Sequence, residues 1–208
     1  QRGAACAIGA GLLFKRRGAP GQYFQRGVAD EIATMSGSAV TTGHFPPIYH
    51  YLAQHEPQTL ANTRWIMLAK DYLRFKLTGE IGAEICDATG THLIAMPDQQ
   101  WSDVLCSLLN VPPEKLPVIH ASDDIAGELS PTASHETGLR PGTAVVFGGG
   151  DSHCALLGLG VIGSAEVGML LGTNSTLRAS FQGFARPSVP QVWKQQHVVP
   201  GMFTASSS

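Results

Sequence analysis

VVFGGGDSHCALLGLG, residues 145–160, places one carboxylate, that of Asp151, directly after an apolar run and three glycines. The run from Ala144 to Phe147 is typical of a fully buried strand in an α/β sheet. The glycines allow a sharp turn and the close approach of another molecule, and Ser152–Leu157 has helix-compatible spacing. We therefore expect Asp151 in a strand-to-helix corner, where open α/β sheets bind ligands. The alternative is that Asp151 only caps the helix.

A second glycine-rich element lies further along the chain. Residues 168–180, GMLLGTNSTLRAS, predict a β-hairpin whose turn is Gly172-Thr173-Asn174-Ser175. Backbone amides of such a turn, with the hydroxyls of Thr173 and Ser175, suit a phosphate group; an ordinary hairpin turn is the alternative. Taken with Asp151, the turn indicates a phosphoryl-transfer site, with a base on one side and a phosphate cradle on the other.

Composition limits the classes of function. The chain has 208 residues, 43% hydrophobic and 14% charged, with a formal net charge of −2, as in a globular protein rather than a disordered one. Scattered basic residues give no footprint for nucleic acid, and no apolar stretch is long enough to span a membrane. The apolar segment near the start precedes its basic residues, the reverse of a signal peptide. These features predict a cytoplasmic protein with no nucleic-acid or membrane partner.

Cysteine and histidine spacing gives no sign of a metal site. The four cysteines form no paired motif, so we expect reduced, buried, apolar side chains and neither a zinc site nor a disulfide framework. They are Cys6, Cys86, Cys106 and Cys154. His44, His50 and His55 do not share one helical face, which disfavours a metal site there.

Alternating helix and strand patterns with short connections predict an α/β architecture. The expected helices cover 28–35, 48–54, 70–78, 103–109 and 131–137, and the expected strands cover 64–68, 125–129 and 144–147. Tyr72, Leu73, Phe75 and Leu77 are expected to pack the core. Asp87, in a polar loop at 85–91, is a weaker catalytic candidate, because Asp in such a segment more often organises its own turn.

A change of composition at 158–163 indicates a domain boundary, with hairpin material starting at Glu166. Asp151 and Gly172-Thr173 would then face each other across an interdomain cleft, a common position for small ligands.

Six short motifs give the chain a resemblance to the FGGY carbohydrate kinases, and most of all to the xylulokinase-like pentulose kinases. They occur in that family's order and spacing and are specific as a set. They are His55-Glu-Pro57, Lys70-Asp-Tyr-Leu-Arg74 with Leu77-Thr-Gly-Glu80, Asp87-Ala-Thr-Gly-Thr91, Trp101-Ser-Asp103, Gly148-Gly-Gly-Asp151 and Leu171-Gly-Thr-Asn-Ser175.

The resemblance implies a partial ribonuclease H-like fold of the actin/hexokinase ATPase type. Residues 1–158 would be the C-terminal part of the first, sugar-binding domain, and 159–208 the start of the second, nucleotide-binding domain. It also implies ATP-dependent phosphorylation of a small sugar, such as a ketopentose or polyol, with ATP and Mg²⁺ as cofactors. Asp151 would be the general base and a sugar contact, and Gly172, Thr173 and Asn174 would form a phosphate-binding loop. Ser152 stands where the family usually has Asn or Gln against the sugar.

Three alternatives stay open at this point. The family's Asp-x-Gly-Thr hairpin is absent from residues 1–24, and the chain ends before an adenine-binding half. It therefore resembles either the centre of a longer kinase or a catalytically inactive sugar-binding or regulatory half-kinase; an autoinducer-type signal kinase of the same family is the third alternative. The sequence decides neither which sugar is the substrate nor whether the protein forms a homodimer.

If these 208 residues are the whole polypeptide, we expect little kinase activity, because phosphoryl transfer depends on positioning the metal and nucleotide. An ADP-release assay on the purified chain with and without ketopentose tests this expectation. Sugar-dependent release of ADP would contradict it.

Overall fold

The computed structural model describes residues 5–8, 26–41, 43–171, 175–184 and 192–207, and over these ranges helices alternate with short strands. The helices are α1 (Arg26–Ser36), α2 (Phe45–His55), α3 (Pro57–Asn62), α4 (Ala69–Thr78), α5 (Ile85–Thr89), α6 (Asp103–Leu108), α7 (Pro131–Thr137) and α8 (Asp151–Gly158). The strands are β1 (Ala5–Ile8), β2 (Trp65–Leu68), β3 (Ala83–Glu84), β4 (Ile119–His120), β5 (Ile125–Glu128), β6 (Ala144–Val146), β7 (Glu166–Leu171), β8 (Ser175–Gln182), β9 (Trp193–Gln196) and β10 (Met202–Ser207). The predicted α/β class is confirmed.

The strands pair in small sheets. β1 pairs with β2 and β3 with β4, both in parallel, while β5 and β6 form an antiparallel ribbon. β7, β8, β10 and β9 form a four-stranded antiparallel sheet in that order, in which Leu171 of β7 lies opposite Ser175 of β8. The hairpin predicted from residues 168–180 is therefore confirmed.

Helix ends follow the chemistry of their sequences. Ser102 and Ser130 cap α6 and α7, where each Oγ accepts a hydrogen bond from the backbone N–H three residues later. Gly79 ends α4 with φ 82° and Gly138 ends α7 with φ 74°, the left-handed conformation that glycine adopts without strain. α3 was not predicted, although Pro57 suits its first turn.

Two apolar clusters form the core. The larger joins α1, α2 and α6, and the smaller places α5 against β10. Members of the larger are Ile32, Phe45, Ile48, Tyr49, Leu52, Leu60, Ile66, Leu93, Leu105, Cys106, Leu109, Val111 and Leu116. Members of the smaller are Ile85, Ala88, Ile94, Met96 and Phe203.

The strand before the three glycines is not the fully buried strand expected. Within the described residues β6 pairs with β5 alone, so one of its edges has no neighbouring strand. Ala144 is exposed and Val146 is 49% exposed, whereas Phe147, just past the strand, is buried. The apolar run alone did not indicate how many neighbours the strand has.

The inward face of α4 is charged, contrary to the apolar face expected. Asp71 and Arg74 are buried, while Leu73 is 61% and Tyr72 36% exposed. Arg74 donates to Asp71 Oδ1 at 3.4 Å and to the carbonyl of Gly82 at 2.5 Å. These partners explain the burial, because a charge leaves water at acceptable cost only when it is paired.

Residues 85–89, expected as a loop, form α5, and a buried carboxylate holds its start. Glu84 is fully buried and accepts from the N–H groups of Cys86 at 2.6 Å and Asp87 at 3.1 Å. Its carboxylate also accepts from the hydroxyl of Ser122 and lies 3.3 Å from Lys70 Nζ. A five-residue helix has little stability of its own, so Glu84 and the surrounding packing fix its position.

Two further findings concern single features. Cys86 and Cys106 are buried thiols, but Cys154 on α8 is exposed, contrary to expectation. In the described part of the chain no helix is long and apolar enough to cross a membrane.

We expect Glu84→Ala to lower the free energy of unfolding by about 3 kcal/mol or more, because it removes the cap of α5 and leaves Lys70 without one of its carboxylates. Urea denaturation measures the loss. Glu128→Ala, at an exposed position, is the matched control and should change stability by no more than about 0.5 kcal/mol. Equal effects of the two variants would contradict the role given to Glu84.

Candidate active site and adjoining cavity

Asp151 lies where the sequence predicts, at the turn between β6 and α8. Gly150 is the N-cap residue and Asp151 the first residue of α8, and its exposed carboxylate accepts from Ser152 N–H through Oδ1 at 2.6 Å. Asp151 is therefore not the N-cap residue of α8, although its carboxylate accepts from one N–H of the first turn. The local bond orients one carboxylate oxygen, and the other has no hydrogen-bond partner among the described residues.

The three glycines permit close packing within the chain itself. Gly148 adopts φ 76°, which turns the backbone. A Cβ on Gly149 would lie 2.2 Å from Val198 Cγ1, and one on Gly150 would lie 3.2 Å from Asp87 Oδ1. The close approach expected from the sequence is therefore made by residues 87 and 198 of the same chain.

Asp87 on α5 is the carboxylate that stands against this turn. Burial raises its pKa to about 6; Lys70 opposes that rise, while the carboxylates of Asp71, Glu84 and Asp151 add to it. The described hydrogen bonds at its turn are made by its backbone carbonyl, which accepts from Gly90 N–H. The expectation that the Asp87 side chain organises its own turn is therefore not met, and the side chain faces Gly150 instead.

Lys70 is the cation that contacts the buried carboxylates of Asp71 and Glu84. Its Nζ lies 2.8 Å from Asp71 Oδ1 and 3.3 Å from Glu84 Oε2. Burial lowers its pKa, but Asp71, Glu84 and Asp87 together outweigh that effect and raise it. Lys70 therefore stays protonated and limits the repulsion in a region rich in carboxylates.

Arg178 of β8 is a second buried cation. It is 8% exposed, and its Nη1 donates to Gln195 Oε1 at 3.2 Å and lies 3.2 Å from His153 Nε2. His153, two residues after Asp151, is neutral, because burial, Arg178 and His197 lower its pKa to about 3. Burial lowers the pKa of Arg178, while Cys86 and Asp151 raise it.

A cavity of about 140 Å³ opens beside Arg178. Side chains from α5, β8, β9 and the loop before α2 surround it. The lining residues are Ser38, His44, Thr89, Gly90, His92, Arg178, Trp193 and Gln195.

Two histidines of the cavity form a hydrogen-bonded chain. His92 Nε2 lies 2.9 Å from His44 Nδ1, and Ser36 Oγ lies 2.8 Å from His92 Nδ1. Burial lowers the pKa of His44, and burial with the neighbouring His44 lowers the pKa of His92 to about 3. Both rings are therefore neutral near pH 7.

Two other histidines named from the sequence do not join this site. His50 bonds Gln54 and His55 bonds the carbonyl of Tyr51, both within α2. In the described ranges no three His, Cys, Asp or Glu side chains are grouped to hold a metal ion. Gly172, Thr173 and Asn174 lie outside the described residues.

Sequence reasoning missed Arg178, His44 and His92 as site residues. Alternation along β8 is a misleading signal, because apolar residues normally face inward, whereas here Arg178 and Ser180 are buried and Leu177 is 49% exposed. No sequence signal marks His44 and His92, since contact between residues 48 positions apart depends on the fold.

The sequence matches one protein family and several of its characterised members. Residues 22–158 match the model of the FGGY family of carbohydrate kinases, N-terminal domain. The chain belongs to the FGGY family of carbohydrate kinases. Among curated members of that family, it is 31% identical to the xylulose kinase of Bacillus subtilis (strain 168) over 71% of the chain and 30% of the relative. It is 28% identical to the autoinducer-2 kinase of Enterobacter sp. (strain 638) over 85% of the chain and 33% of the relative. It thus spans about a third of the length of these relatives.

Solved structures confirm the fold. The xylulose kinase of Rhodospirillum rubrum superposes with a TM-score of 0.79 at 21% identity, over 86% of this chain and 36% of the other. The glycerol kinase of Plasmodium falciparum gives 0.76 at 15% identity, over 95% and 39%. The predicted partial actin/hexokinase-type fold is therefore confirmed.

We expect Asp87→Asn to become more stabilising, relative to wild type, as pH rises. Since the folded-state pKa of about 6 exceeds the ordinary 3.8, the folded wild type binds this proton more tightly than the unfolded chain does. Between about pH 4 and about pH 6, the titration of Asp87 should lower the free energy of unfolding of wild type, relative to that of Asp87→Asn, by about 3 kcal/mol in total.

Urea denaturation of both proteins at four pH values measures this difference. Asp123→Asn, at an exposed position, is the matched control for removal of a carboxylate. A difference between Asp87→Asn and wild type that stays constant from pH 4 to 7 would contradict the burial of a titrating Asp87.

Proposed function

We propose that the protein in its natural length transfers the γ-phosphoryl group of ATP to a hydroxyl of a small open-chain sugar or polyol. The observation that carries the proposal is the free oxygen of the Asp151 carboxylate, in a chain of a carbohydrate kinase family. The xylulose kinase relatives make a ketopentose such as xylulose the first substrate to test.

Asp151 is proposed as the general base. The bond from Ser152 N–H holds Oδ1, and Oδ2 takes the proton of the attacking hydroxyl. The sugar oxygen then bonds to the γ-phosphorus while the bond from that phosphorus to the bridging β–γ oxygen breaks, and ADP leaves. Removal of the proton by a placed base typically contributes about 10²–10⁴ in rate. Ser152, half-buried beside the base, is proposed as a sugar contact.

The cofactor proposals rest on family membership. ATP is proposed as the phosphoryl donor, with its phosphates at Gly172, Thr173 and Asn174. The described residues offer no clustered ligands for Mg²⁺, so no step is assigned to a residue that binds it. Residues 1–158 and 159–208 remain proposed as parts of the sugar-binding and nucleotide-binding domains.

A second candidate is an autoinducer-type signal kinase. The autoinducer-2 kinase relatives match 85–86% of this chain at 27–28% identity, whereas the xylulose kinase relatives match 70–83% of it. Both candidates use the same chemistry at Asp151. Relative kcat/KM values for xylulose and autoinducer-2 would separate them.

We expect Asp151→Asn in the natural-length protein to lower kcat for sugar-dependent ADP release by about 10²-fold or more. Sugar affinity should stay within about threefold, because the amide retains the shape and one acceptor oxygen of the carboxylate. A coupled ADP assay and calorimetric titration of the sugar measure the two quantities.

Asp123→Asn removes an exposed carboxylate and is the matched control, with an unchanged kcat expected. Turnover by Asp151→Asn at the wild-type rate would remove Asp151 from the role of base.

A further inference from the structure

Arg178 has no carboxylate partner in the part of the chain that the structure describes. Its side chain is more than nine-tenths buried, and no Asp or Glu oxygen of these residues lies within 4.0 Å of it. Its Nη1 meets only neutral groups, on Gln195 and His153, and its Nε is buried with no hydrogen-bond partner. Buried charges are normally paired, so the lack of a carboxylate partner for Arg178 calls for an explanation.

The cavity beside Arg178 has the size for that missing partner. Its volume is about 140 Å³, and a water molecule occupies about 30 Å³ of liquid. A carboxylate with one or two attached carbons therefore fits. No Asp or Glu side chain lines the cavity.

His44 supplies a second donor in the same cavity. Thr41 N–H donates to its Nδ1 at 3.0 Å, so in the neutral ring the proton is on Nε2. With that assignment His92 Nε2–H donates to the same Nδ1, and His92 Nδ1 lies 2.8 Å from the hydroxyl of Ser36, which is also 3.2 Å from the carbonyl oxygen of Ser38. His44 Nε2–H is left as a donor with no partner among the described residues. Arg178 and His44 together offer a cation and a neutral donor, as an oxyanion requires.

We propose that this cavity is a carboxylate subsite, and that the phosphoryl acceptor is a polyhydroxy acid with its carboxylate at Arg178 and a hydroxyl at Asp151. The proposal rests on the proposed kinase function and narrows its acceptor class. The two ends are linked structurally, because Arg178 contacts His153, which lies two residues beyond Asp151. An acceptor that joins the two groups neutralises the guanidinium and presents its far hydroxyl to the base.

Calorimetric titration of the natural-length protein, without nucleotide, tests the subsite. The probes are xylonate, xylitol of the same carbon number, and inorganic phosphate, at one ionic strength. We expect xylonate to bind about tenfold or more tighter than xylitol, as one charge-assisted hydrogen-bond pair provides.

Gln195→Glu is the informative variant. It keeps the acceptor atom that Arg178 already contacts and the size of the side chain, but supplies an internal carboxylate. Xylonate affinity should fall about tenfold or more, and xylitol affinity should change less than about threefold. Gln58→Glu adds the same charge at an exposed position of α3 and should change neither. Thermal unfolding followed by circular dichroism confirms that each variant folds.

Equal affinities for xylonate and xylitol, absence of xylonate binding, or equal effects of the Gln195 and Gln58 variants would overturn the proposal. Binding of inorganic phosphate that Gln195→Glu weakens, with xylonate binding unaffected, would assign the cavity to a free phosphate and also overturn it. Asp151→Asn separates the two proposals, because it should keep xylonate binding while losing phosphoryl transfer. Phosphoryl transfer with no preference for the acid would leave the kinase function standing and remove the subsite.

Discussion

The hydrogen bonds from Cys86 N–H and Asp87 N–H to the buried carboxylate of Glu84 fix the helix on which the site is built. α5 is too short to be stable alone, yet it packs against β3, β4 and β9 and against the turn before α8. Its Asp87 faces Gly150, and its Thr89 and the following Gly90 line the cavity. A shift of α5 would therefore displace the surroundings of Asp151 and the cavity together.

The charges around α5 balance over a short distance. Lys70 contacts the carboxylates of Asp71 and Glu84, and Arg74 also contacts the carboxylate of Asp71. Asp87 is left with a raised pKa because burial disfavours its charge. A cluster of this kind stabilises only when every member is partnered. Asp87 lies against Gly150 and Arg178 lines the cavity, while Asp71 Oδ2 and Arg74 Nε are also buried without hydrogen-bond partners.

Local chemistry was readable from the sequence where single residues dictate backbone geometry. Ser102, Ser130, Gly79 and Gly138 set the ends of helices, and the glycines before Asp151 set its turn. Burial was less predictable, because it depends on partners distant in sequence. Leu73 of α4 is exposed while Arg74 is buried against Asp71 and Gly82. The same limit hid the contact of His44 with His92.

The four-stranded sheet carries the strongest departure from ordinary patterning. Val167, Met169, Leu171 and Leu177 are exposed, whereas Arg178, Ser180, Gln196, Thr204 and Ser206 are buried. A sheet with one covered face normally turns its apolar residues inward, so a polar inward face sacrifices apolar burial. Hydrogen bonds offset part of that cost, as between His153 and Thr204 at 3.0 Å. Arg178, Gln196 and Ser206 still keep buried polar atoms without partners. Polar groups retained at such cost on the face that contacts His153 of α8 indicate selection for ligand contact rather than for stability, since proteins depart from consistent local rules mainly at functional sites.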